Sequence, residues 1–217
     1  MSFPITLKSI KRLFFAEVLS MLSEIFSIIV VCFSIVAFHT DADLENVSGW
    51  YALLLIFSMT FILVARIACY VFYLISLRRA SAEDENFKVA FYSAVISLFL
   101  AIPSSIVTSN KEATSIAELL IILTVLLTEV YVLEGIRSLC VRLGHKEMDR
   151  QGAVIYAIIT TIFVFQTCLS VFILVLGGTT ATIGASWLGL LGSVLSIIES
   201  VLFLFYYVKA IRIFSKE

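Results

Sequence analysis

Histidine, proline, tryptophan and charge are all scarce in this sequence: two His, two Pro, two Trp and 14% Asp, Glu, Lys and Arg among 217 residues. Each shortage excludes something. His39 and His145 fall in polar connections on opposite sides of the apolar runs, so they cannot join one metal cluster. The four cysteines, Cys32, Cys69, Cys140 and Cys168, lie inside apolar runs with no close pair and no C-x-x-C, which gives neither a disulfide frame nor a metal site. They read as small core or lipid-facing residues. There is no H-E-x-x-H, no G-x-S-x-G and no phosphate-cradling glycine loop, so no catalytic motif is found and no cofactor is expected.

The low charge is the most restrictive shortage. Soluble domains are about 25% charged and about 45–50% apolar, whereas this chain is 61% hydrophobic with 18 Phe and a mean hydropathy of +1.08. One soluble core of this size could not hide so much apolar surface. Lipid is therefore expected to be the solvent for much of it.

Six apolar runs follow, roughly 17–38, 50–77, 89–108, 114–137, 153–176 and 187–208. Each is close to the ~20 residues that a transmembrane helix needs, and the polar connections are too short for a soluble domain. The expected fold is all-α: a polytopic membrane protein with a six-transmembrane-helix bundle over 17–208 and a cytoplasmic tail over 209–217. Residues 1–16 form an amphipathic lead-in, which reads either as an interfacial helix or as the snorkelled end of a long first helix. Pro4 suits its first turn, with Ser2 as cap. The first run is too long for a signal-peptide core and no A-x-A-like site follows it, so it is expected to stay uncleaved.

The basic residues give an orientation. Thirteen of the 15 Lys and Arg fall on one side, Lys111 alone on the other, and Arg66 inside a run. By the positive-inside rule the basic side is cytoplasmic, which places both termini there and the protein in a plasma membrane. The same residues favour anionic lipid at the cytoplasmic face over nucleic acid. Trp50 and Trp187 open the second and sixth runs at the outer boundary, and Tyr70, Tyr73, Phe91, Tyr92, Tyr206 and Tyr207 read as the inner aromatic belt. Similar textures open the odd runs, and "YVLEGIR" (131–137) echoes "YYVKAIR" (206–212). Three parallel helical hairpins would produce this, and so would shared membrane composition.

The informative residues are those that break the apolar pattern. Glu24, Arg66, Glu129, Gln166 and Glu199 each sit near the middle of a run. A charge at a helix centre costs about 2.5–3.5 kcal/mol on insertion scales, so these groups cannot all face lipid. Arg66 keeps its proton and needs a partner, which one of the three glutamates can supply through a charge-assisted bond. The remaining acids are expected to be protonated, to share protons, or to hold a cation or water. The expected function is transport or conduction of a small solute or cation through a polar site inside the bundle. The alternative is a non-transporting subunit or scaffold, in which the polar groups are inter-helix glue at about 0.6 kcal/mol apiece.

Other features have ordinary readings. Ser115 and Glu118 match a capping box, Glu17 falls toward the inner interface, Glu134 and Arg137 make a helix-end pair, and Ser81 caps a turn rich in acids. Pro103, followed by Ser104 and Ser105, is expected to kink the third helix and offers a hinge. Ala185, Gly189 and Ser193 in the sixth run give a small-residue face for a second copy or a partner subunit. "TATIGAS" (180–186) superficially matches a potassium filter's T-x-G core, but the connection is too short for a pore helix.

Overall fold

The computed structural model describes the backbone of residues 3–39, 49–106, 111–176 and 180–216, and the side chains of 3, 5–33, 52–101, 120–168 and 190–216. The described chain is all helical, with six helices: α1 (Pro4–His39), α2 (Gly49–Ala80), α3 (Glu85–Ile106), α4 (Lys111–Arg142), α5 (Lys146–Leu176) and α6 (Thr180–Phe214). Four stretches among the described residues are long and apolar enough to cross a membrane: Ile5–Phe33, Ala52–Ala80, Lys146–Cys168 and Leu190–Phe214.

The helices outrun the apolar runs because backbone hydrogen bonding continues into the polar ends. α1 is unbroken from Pro4 to His39. Residues 180–186 are the first turns of α6. α3 continues past Pro103 to Ile106. The side chain of Pro103 lies outside the described residues, as do those of Ser115, Glu118, Trp50, Trp187, Ala185 and Gly189, and the whole of Ser2.

The turns at the basic end follow from specific residues. Glu83 accepts from the amides of Ile5 (3.3 Å) and Thr6 (2.7 Å), placing a carboxylate on the free N–H groups that open α1. Asp84, rather than Ser81, caps α3, accepting from the Asn86 amide at 2.9 Å; the Ser81 hydroxyl instead donates back to the Arg78 carbonyl. Asp84 also accepts from the Ser138 hydroxyl (3.0 Å) and pairs with Arg142 (3.1 Å), so it ties the start of α3 to the end of α4. α4 stops where Gly144 takes φ 86°. The amides of Gly144 and His145 then reach the Val141 and Cys140 carbonyls, a Schellman closure that leads straight into α5.

α1 packs closely along α2 and α6, and α3 along α4; thinner contacts between α2 and α3, α4 and α5, and α5 and α6 close a ring in chain order. The α5–α6 pair is sparse where a third equivalent hairpin would be dense. The buried core lies at the basic end, around Ile10, Leu13, Leu77, Phe87, Val132, Ile136, Leu139, Met148, Phe203 and Tyr207. Phe3 and Phe214 meet edge to face at 6.3 Å, so both ends of the chain lie at that end. Of the expected inner belt, Tyr92 faces outward, but Tyr206 and Tyr207 are buried in the core, their rings drawn in by close helix packing. α2 exposes a broad apolar surface that includes Ile56, Phe57, Leu63 and Val64, interrupted by Thr60 and Arg66.

Candidate functional site

The polar residues of α1, α2, α4 and α6 recur at helical spacing and therefore share faces. On α1 the sequence places Glu17, Ser20 and Glu24 on one stripe. On α2 the stripe is Arg66, Cys69, Tyr70 and Tyr73; on α6 it is Ser196, Glu199 and Ser200. Ring closure turns these stripes inward onto a cavity of about 260 Å³, lined also by Ala94 and Ser97 of α3 and Val125, Thr128 and Glu129 of α4. At about 30 Å³ per water this volume corresponds to roughly eight waters. Counting from Pro4, Ala80, Arg142 and Phe214, the residues Glu17, Arg66, Glu129 and Glu199 all lie about 20 Å from the basic end at 1.5 Å per residue. They share one depth.

The Arg66 Nη2 donates to Glu24 Oε1 at 3.0 Å. Arg66 does not itself line the cavity: its side chain is 58% exposed and reaches Glu24, 18% exposed, from the outer side of the α1–α2 contact. The pair therefore stands at the rim. Glu17 and Ser200 line the cavity together where α1 meets α6. Glu129 and Glu199 are within hydrogen-bonding reach of each other across α4 and α6.

The Tyr70 hydroxyl donates to the Ala94 carbonyl and lies 3.0 Å from the Ser97 hydroxyl, anchoring α2 to α3 beside the cavity. Tyr73 lines the same wall. Tyr207 is fully buried, shares the surroundings of Tyr73, Glu17 and Glu129, and its hydroxyl has no partner among the described residues.

A second cavity of about 220 Å³ adjoins the first. It is bounded by Ile121, Ile122 and Leu126 of α4, Phe163 and Gln166 of α5, and the same Val125, Glu129, Ser196 and Glu199 that line its neighbour. The Glu129–Glu199 contact thus stands between two chambers, one facing Glu17 and Glu24, the other reaching Gln166. The Gln166 amide points toward the Gly192 carbonyl at 3.5 Å. All five residues that break the apolar pattern therefore belong to one connected polar zone.

Glu17, which the sequence places toward the inner interface, lines the cavity from α1, seven residues or two helical turns before Glu24. Tyr70 and Tyr73, which the sequence places in the inner aromatic belt, line it from α2.

Among the described residues no group of three or more His, Cys, Asp or Glu side chains is arranged to hold a metal ion. No family model, curated protein or solved structure matches this chain.

Proposed function

We propose that the chain is a six-span plasma-membrane protein with both termini in the cytoplasm, and that it moves protons or a small cationic solute by way of the polar cavity. The observation that carries this reading is the convergence of Glu17, Glu129 and Glu199 from three helices onto one cavity, with the Glu129–Glu199 contact dividing it from a second. Carboxyls that share a proton beside a space of water size can release it to, or take it from, whatever enters. Arg66 occupies Glu24 and leaves the other three acids for that role. The reading is non-enzymatic.

The hydroxyl bonds support a site over inter-helix glue. Ser9, Thr60, Ser76, Thr128, Thr160 and Thr161 each donate to the carbonyl four residues earlier in their own helix, so they add little cross-helix attachment. One observation favours a second reading, self-association: a Cβ at Gly192 would meet nothing within 4 Å among the described residues.

Flux in proteoliposomes tests the proposal, using wild type, Glu17→Gln, Glu129→Gln and Glu199→Gln, with exposed Glu85→Gln as control. Wild-type vesicles are expected to pass protons or a cation from a panel of alkali and organic amines. The three cavity variants should fall at least tenfold and the control should match wild type. Vesicles that stay tight across the whole panel, or cavity variants that match wild type, would overturn it.

A further inference from the structure

We propose that the cleft between α5 and α6 at the basic end holds one anionic phospholipid, its phosphate on Arg150, Lys209 and Arg212 and an acyl chain along Val154, Leu202 and Phe205. The sparse α5–α6 contact leaves an open cleft of about 850 Å³ lined by these residues. Its two ends differ in chemistry. Arg212, Lys209, Phe205 and Leu202 lie on one face of α6 at spacings of three and four, so cations at the helix end give way to apolar side chains about 10 Å deeper. On α5, Arg150 precedes Val154 by one turn in the same sense. Phe205 is 70% exposed and Val154 54%. A free phosphate would use only the first part of this surface, whereas a phospholipid uses both.

The charge of the cleft is also only partly matched. Two other cations at the basic end are held by acids: Arg137 binds Glu134 and Asp149, and Arg142 binds Asp84. In the cleft, Lys209 donates to Gln151 at 2.8 Å and stands 3.7 Å from Glu147, a side chain 88% exposed. Arg150 and Arg212 make no ion pair among the described residues. Basic pockets between helices at a cytoplasmic surface suit anionic headgroups.

Native mass spectrometry of the full chain in neutral detergent tests this with phosphatidylglycerol, phosphatidylcholine and inorganic phosphate as separate probes. Wild type is expected to retain one phosphatidylglycerol and neither of the others. Arg150→Gln/Arg212→Gln should weaken retention about 30-fold, equivalent to about 2 kcal/mol at 1.4 kcal/mol per tenfold, from about one such unit per basic residue. Val154→Trp, which fills the cleft and leaves the charges in place, should give a comparable loss. Arg78→Gln/Arg79→Gln removes equal charge from the same end of the bundle and should stay within about threefold of wild type. Equal loss in that control, full retention in Val154→Trp, or binding of inorganic phosphate alone would overturn the proposal.

Discussion

Asp84 concentrates more stabilising contacts than any mid-membrane acid, and its removal gives a quantitative test of how the basic end is held. The side chain is 2% exposed, caps α3 through the Asn86 amide, accepts from Ser138 and faces Arg142. Losing an N-cap costs about 0.5–2 kcal/mol. A hydrogen bond to a charged group contributes about 1.5–3 kcal/mol. The Arg142 side chain is 53% exposed, so its pair adds only about 0.2–1 kcal/mol. Allowing for shared geometry, Asp84→Ala should destabilise by about 3 kcal/mol. Asp84→Asn keeps the capping oxygen but turns an amide toward Ser138 and Arg142, so about 1–2 kcal/mol is expected. Arg142→Gln should cost under about 1 kcal/mol. Equilibrium unfolding in mixed micelles, followed by circular dichroism, ranks the three. If Arg142→Gln matched or exceeded Asp84→Ala, the cap and the Ser138 bond would not be the source of stability and the reasoning would fail.

Two glycines should respond in opposite directions to alanine. A Cβ at Gly135 would lie 2.9 Å from the ring of fully buried Phe87, so Gly135→Ala should destabilise by about 1–3 kcal/mol; at Gly192 it meets nothing within 4 Å among the described residues, so Gly192→Ala should be neutral or gain up to about 1 kcal/mol in the same unfolding assay. Burial pushes the Cys140 thiol up to about 12, so the reactive thiolate stays a minute fraction at physiological pH and grows only as pH rises toward that value. Maleimide at pH 7 to 9 should leave Cys140 unmodified in the folded protein and label it after denaturation, as peptide mass spectrometry would show.

The sequence by itself determined that this chain is helical and suited to lipid, that its charge is gathered at one end, and that a few ionisable residues sit where hydrocarbon would reject them. Those conclusions need only composition, run length and the cost of an isolated charge, all local quantities. The α1 and α2 stripes through Glu17 and Arg66 were also legible, because helical period fixes which residues share a face. Which faces meet was decided only in three dimensions. Nothing local to Arg66 selects Glu24 over Glu129 or Glu199; the close α1–α2 contact does. Nothing local to Glu129 pairs it with Glu199, 70 residues later, or sets that contact between two chambers. Asp84 reads as one acid among several in "SAEDENF", and only the approach of α4 to the start of α3 makes it the cap and anchor. The cleft at Arg150 and Arg212 likewise depends on how α5 and α6 approach each other, which no run within either helix specifies.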